Sequence, residues 1–156
     1  MSTLLTFCLF TILAIGCQSS AGSSAGDSDQ TAIQGISGIL LVRKGNFMPS
    51  PEENPKDRGT EKPVAGQVYV YKAMSVSDAG TGPYYTSLGD PMLILEANDQ
   101  GKFEKEMAPG TYSLFIKTEK GLYANSFNGQ GLIRPITVEE GKMTEVRLIQ
   151  DSQAAY

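Results

Sequence analysis

Residues 98–117 of the chain, NDQGKFEKEMAPGTYSLFIK, hold two short strand-like runs, each preceded by a turn. The runs are residues 102–106 and residues 111–117, and apolar and aromatic side chains dominate the second. Residues 98–101 and 108–110 supply the Asn, Asp, Pro and Gly that tight turns require. Short strands separated by tight turns are typical of an all-β domain.

The same pattern of apolar runs and turn residues continues on both sides of this stretch. Further strands are predicted over residues 35–42, 67–71, 92–96, 134–138 and 142–149. In the last of these, Thr144, Val146 and Leu148 lie on one face, which we expect to point into the core. Pro135 predicts that its strand lies at a sheet edge or begins near that residue. Seven short strands without a helical pattern predict an all-β fold, a seven-stranded sandwich of two antiparallel sheets.

The first 16 residues have a different character. Residues 4–16 form an uninterrupted run of 13 uncharged, mainly apolar residues. A transmembrane helix needs about 20 such residues, whereas the apolar part of a secretory signal has about 7–15. The run therefore predicts an export signal over residues 1–16.

A cysteine follows this run directly. Ala14, Ile15 and Gly16 precede Cys17, and polar residues follow it. This pattern resembles the lipobox of bacterial lipoproteins. The resemblance implies cleavage after Gly16 and lipidation of the Cys17 thiol, with acyl chains such as palmitate holding the protein at a membrane. Gln18 beside the cysteine resembles an outer-membrane address, and either face of that membrane is compatible with it.

The remaining chain divides into a tether, a domain and a tail. Residues 17–34 are rich in Ser, Gly and Ala and carry no apolar periodicity before Ile33, so we expect a flexible tether. Residues 35–150 form the predicted sandwich, and residues 151–156 a C-terminal tail. A tether of this composition spans about 20–25 Å, which lets the domain stand away from a bilayer.

Missing residue types narrow the function. The sequence has no histidine, which removes the commonest general base and metal ligand. Cys8 and Cys17 both precede the predicted domain, so that domain has no disulfide and no thiolate metal site. The net charge is −4, which disfavours nucleic acid as a partner. We therefore expect a protein that is not an enzyme, needs no cofactor or metal and binds no nucleic acid.

Two long loops carry the candidate binding residues. In residues 44–61, Phe47 and Met48 are apolar, and they predict either a partner contact or a pin that holds the loop against the sandwich. In residues 75–91, Tyr84 and Tyr85 predict a contact patch or a surface on which sugar rings stack. The alternative there is one buried ring, one exposed ring and no ligand.

Four segments resemble the carboxypeptidase-regulatory-like, or prealbumin-like, sandwich family: residues 62–66, 98–103, 107–114 and 136–141. The resemblance implies a Greek-key sandwich that serves as an accessory, binding or spacer module without catalytic residues. The long 44–61 insert departs from the family pattern. The second strand leaves open whether Tyr69 and Tyr71 or Val68 and Val70 face the core.

These observations together predict a non-catalytic, membrane-anchored lipoprotein of the cell envelope, located at the outer membrane. Its sandwich is expected to act as a protein-interaction or accessory module, with an envelope protein as partner. The alternative is a carbohydrate-binding lipoprotein that holds a glycan with Tyr84 and Tyr85.

Overall fold

Two β-sheets account for most of residues 33–49 and 58–156, which are the residues that the computed structural model describes. Their ten strands are β1 (Gly35–Asn46), β2 (Thr60–Pro63), β3 (Gly66–Lys72), β4 (Tyr84–Tyr85), β5 (Leu93–Ala97), β6 (Lys102–Glu106), β7 (Gly110–Thr118), β8 (Gly121–Tyr123), β9 (Pro135–Val138) and β10 (Met143–Ala155). One short helix, α1 (Val76–Ala79), lies between β3 and β4. The predicted all-β sandwich is confirmed. The predicted signal segment, Gly16, Cys17 and nearly all of the tether lie outside the described residues.

All seven predicted strands are present, and three short ones join them. The additional strands are β2, β4 and β8, with four, two and three residues. The last strand is longer than expected, because β10 continues to Ala155. The boundary expected at residue 150 therefore falls inside β10, and most of the expected C-terminal tail is strand.

The first sheet is built around β1. β10 runs parallel to β1 along its whole length, from Gly35 opposite Met143 to Asn46 opposite Ala155. The other side of β1 pairs antiparallel with β6 in its first half and with β2 in its second half. A parallel pair needs a long connection, and here the rest of the domain is that connection. This pairing is the exception to the expected antiparallel arrangement.

The second sheet has the order β4-β8-β7-β3-β5, with β9 also paired to β7. The main core lies between the two sheets and includes Ile36, Val68, Val70, Leu114 and Leu148. Val68 and Val70 are completely buried. The open question about the second strand is thereby settled, since the valines and not the tyrosines face the other sheet.

A second apolar cluster covers the outer face of the second sheet. Tyr71 and Tyr85 both meet the Phe115 ring edge-on, with centroid distances of 5.4 and 5.2 Å. The Tyr71 hydroxyl donates to the Gly89 carbonyl at 3.1 Å, which fixes the segment between β3 and β5 over this face. Edge-to-face ring pairs contribute about 0.5–1.5 kcal/mol each beyond their burial. The second sheet is therefore buried on both faces, which explains why β3 alternates Val and Tyr.

Phe115 is the residue on which this second cluster depends. It is fully buried, so we expect Phe115→Ala to lower the free energy of unfolding by about 3–5 kcal/mol. Phe127 is 70% exposed, and Phe127→Ala is expected to change it by less than about 0.5 kcal/mol. Urea unfolding of the two variants measures both values. Equal effects would contradict the proposed role of the Phe115 cluster.

Candidate functional site

Phe47 packs against the end of β10. Its ring stacks on Tyr156 with centroids 5.9 Å apart, and the Arg43 guanidinium lies 5.2 Å above it. A Cβ atom at Gly59 would lie 2.3 Å from the ring, so a side chain there would displace the ring. These contacts are those expected of a loop pin. Met48, by contrast, is 53% exposed.

The fold also uses both rings of the Tyr84–Tyr85 pair. Tyr85 is buried against Phe115. Tyr84 is half-buried, with its ring centroid 5.3 Å from that of Tyr123 and the Lys120 ammonium 5.7 Å from its centre. One buried and one partly open ring resemble the alternative without a ligand. Sugar binding at these two residues stays a prediction.

An apolar cavity of about 580 Å³ lies beside Tyr85. Pro83 and Phe127 also line it. The cavity places an apolar surface next to Tyr85, one of the predicted binding residues, and none of the described residues that line it carries a charged side chain.

A second opening lies at the side of the sandwich, where β10 and β9 end the two sheets. This edge cleft has a volume of about 390 Å³. One wall follows β10 and consists of Glu145, Val146, Arg147, Leu148, Ile149 and Asp151. The other wall comes from the second sheet and consists of Leu114, Asn125, Ser126, Arg134, Pro135 and Ile136. Because five consecutive residues of β10 line it, the cleft runs along the backbone of that strand.

The hydrogen-bond pattern shows which backbone groups of β10 face the cleft. The Gly35 N–H donates to the Lys142 carbonyl at 3.0 Å. In a parallel ladder the bonded positions recur at every second residue. β10 therefore bonds to β1 through its even-numbered residues, as far as the irregularity that follows Val42. The N–H and C=O groups of Glu145, Arg147 and Ile149 point away from β1.

β10 pairs only with β1 among the strands of residues 33–49 and 58–156. It is an edge strand of 13 residues, twice the length of a typical strand. An edge of this kind offers a row of unpaired donors and acceptors to any extended chain. β9, which carries Pro135, likewise pairs only with β7 in the described part of the chain, in agreement with its expected edge position.

Arg134 closes one end of the cleft. Its Nη2 donates to Asn125 Oδ1 at 2.9 Å and to the Ile149 carbonyl at 3.3 Å. Its Nη1 is buried and has no hydrogen-bond partner among the described residues. Burial lowers the pKa of this guanidinium below its ordinary value. Its backbone φ is +35°, a strained value for a residue other than glycine.

Asp151 gathers three donors beside Arg134. Its carboxylate accepts hydrogen bonds from the Tyr123 hydroxyl, the Asn125 amide and the Tyr156 hydroxyl. Burial, together with the bond to Asp151, raises the pKa of Tyr123, so this hydroxyl stays protonated. The network ties β10 at Asp151 to the second sheet through Tyr123 of β8.

Charged side chains lie on the outer face of the same strand. Arg147 forms an ion pair with Glu61, and Glu61 also accepts from Arg43 Nε at 2.6 Å. The hydrogen bond from Arg43 lowers the pKa of Glu61. Glu145 is exposed and has no ion-pair partner in the described segments.

The described residues bring together no group of three potential metal ligands from His, Cys, Asp and Glu. In the same residues no helix has the length and apolarity needed to cross a membrane. A scan against family models, a search of curated proteins and a search of solved structures each found no match for the chain. The likenesses to lipoproteins and to prealbumin-like sandwiches stay predictions from the sequence.

Sequence reasoning did not find the edge cleft. Asn125, Arg134 and Asp151 are far apart along the chain and belong to no motif. Only the pairing of the strands brings them together. The polar sequence after Ile149 gave no sign that β10 continues.

The network around Asp151 can be tested through one hydroxyl. Tyr123→Phe removes one of the three donors to a charged acceptor, and we expect it to lower the free energy of unfolding by about 1.5–3 kcal/mol. The hydroxyl of Tyr84 makes no hydrogen bond in the described residues, so Tyr84→Phe serves as the matched control with almost no effect. Urea unfolding distinguishes the two. A neutral Tyr123→Phe would show that the network contributes nothing to stability.

Proposed function

We propose that the protein is a lipid-anchored lipoprotein of the outer membrane whose sandwich binds a partner protein by strand addition at β10. The observation that carries the interaction is the 13-residue edge strand with free backbone groups along the cleft. The run that ends in Gly16 and Cys17 supports the anchor. The partner is a protein of the same envelope.

Strand addition fits the chemistry of the cleft. An extended segment would exchange backbone hydrogen bonds with Glu145 and Arg147 and accept one from the Ile149 N–H, since the Ile149 carbonyl already accepts from Arg134. These bonds supply affinity without requiring a particular sequence. Alternate side chains of that segment would enter the cleft and meet Leu114 and Ile136. Specificity would come from these side-chain contacts.

The edge strand supports protein binding better than the loop tyrosines support sugar binding. Recognition of a sugar by stacking needs an open ring face, and Tyr85 is 7% exposed. Tyr84 already has Tyr123 and Lys120 beside its ring. The outward-facing N–H and C=O groups of Glu145 and Arg147 have no hydrogen-bond partner among the described residues.

The anchor is tested by metabolic labelling of the full chain with an alkyne analogue of palmitate. We expect the wild type to be labelled and to sediment with membranes, and Cys17→Ser to lose both properties, because the acyl chains attach to that thiol. Cys8→Ser is the matched control and is expected to keep the label. A labelled Cys17→Ser protein would refute the proposed anchor.

The edge is tested in cells with a photoreactive amino acid at position 145 or, as control, at the exposed position 119. We expect discrete crosslinked products from position 145 only. Arg147→Pro removes an N–H that faces the cleft and is expected to abolish these products, since proline cannot donate.

Arg147→Thr is the matched control for the proline variant. It also loses the ion pair with Glu61, but it keeps the backbone donor, so the products are expected to persist. Products that form equally at both positions, or that survive in Arg147→Pro, would exclude strand addition at β10.

A further inference from the structure

We infer that the strand added to β10 is β10 of a second copy of this chain, antiparallel to the first about a two-fold axis through Val146. The inference rests on the proposed strand addition at this edge and names the partner. It follows from which residues of β10 point their N–H and C=O groups away from β1, and from the order of side chains in residues 143–149.

The backbone phase permits this pairing. In an antiparallel ladder, directly opposite residues alternate between pairs that exchange two hydrogen bonds and pairs that exchange none. With the axis at Val146, Glu145 lies opposite Arg147 of the second copy. Both residues present their N–H and C=O to the cleft side, so they form a hydrogen-bonded pair. The two Val146 residues form a pair without hydrogen bonds.

The side chains are complementary in this register. Residues 143–149 read MTEVRLI, with Glu145 and Arg147 at equal distances on either side of Val146. Each glutamate therefore faces an arginine across the interface, twice per dimer. Met143 faces Ile149 of the second copy in the same way. Opposite charges and apolar pairs in directly opposite positions both stabilise a sheet.

Neighbouring registers lose this match. An axis at Glu145 places two glutamates opposite each other, and an axis at Arg147 places two arginines opposite each other. An axis at Leu148 places Glu145 opposite Asp151. Like charges directly opposite each other destabilise a strand pair. The charge order therefore selects Val146 as the centre.

The second copy also agrees with the surroundings of the edge. Glu145 is exposed and makes no ion pair of its own among the described residues, so it is available to the second copy. Arg147 bonds to Glu61 through Nη2 only, which leaves its other guanidinium nitrogens for the glutamate of the second copy. The edge cleft provides about 390 Å³ beside the strand for incoming side chains. A two-fold interface uses the β10 edge of both copies, so this contact joins two copies and no more.

Disulfide trapping in the full chain tests the axis. In the proposed pair the two Val146 Cα atoms are about 4.5 Å apart, within the range that a disulfide bridges. We expect Val146→Cys to give a disulfide-linked dimer when membranes are treated with an oxidant. Thr144→Cys is on the same strand and face, but its two copies are about 14 Å apart along the strands. It is expected to stay monomeric.

The wild type controls for Cys8 and Cys17, and protease resistance confirms that each variant is folded. Glu145→Lys, added to Val146→Cys, places two like-charged pairs across the interface and is expected to lower the dimer yield about tenfold. A folded Val146→Cys protein that forms no more dimer than Thr144→Cys would overturn the two-fold pairing.

The outcome separates this inference from the proposed function. A product of another mass from position 145, without a Val146→Cys dimer, would show that β10 accepts a different protein, so the dimer is wrong and strand addition stands. If neither the crosslink from position 145 nor the Val146→Cys dimer forms, strand addition at β10 is wrong. A Val146→Cys dimer that Glu145→Lys does not weaken would contradict the charge-selected register.

Discussion

The parallel pairing of β1 with β10 is the constraint on which the first sheet depends. In the described residues β10, β6 and β2 each pair with β1 alone, so every strand of that sheet takes its position from β1. The pairing demands close approach: a Cβ at Gly38 would lie 2.3 Å from the Val146 carbonyl. Ile36 and Leu148 on the two strands are almost fully buried, so the main core depends on the same contact.

Local sequence predicted those parts of the fold that local pattern controls. The seven runs with β-favouring residues all became strands, and the Val146 face of β10 packs on the core as expected. β4 has only two residues, too few to give a periodic pattern in the sequence. It forms where Tyr85 packs into the second apolar cluster. The end of β10 is polar, but it pairs with residues 44–46 of β1, and the Phe47 N–H donates to the Ala155 carbonyl at 2.8 Å. Pairing between distant segments therefore determined the formation of β4 and the length of β10, which the sequence pattern did not predict.

The candidate site also depends on contacts between distant segments of the chain. Phe47 was a candidate for binding or for pinning the loop. Of its two neighbours, Arg43 lies in the preceding strand β1, whereas Tyr156 follows the distant strand β10. The cleft depends on Arg134 and Asp151, which only the meeting of the two sheets brings together. Tyr156 contributes to both, since its ring stacks on Phe47 and its hydroxyl donates to Asp151. The aromatic pin and the polar network thus stiffen one end of the edge strand from two sides.

The pairing of the first and last strands also determines how the domain carries a mechanical load. The chain enters β1 at Gln34, whose side chain bonds to Met107 and Gly141, and it leaves at the far end of β10. A force applied between Gln34 and the end of β10 acts along both strands, because the two run side by side in the same direction. The bonds between them then resist together in shear, instead of opening one by one as in an unzipped hairpin. The bonds between β1 and β10 would therefore share any force applied between Gln34 and the end of β10.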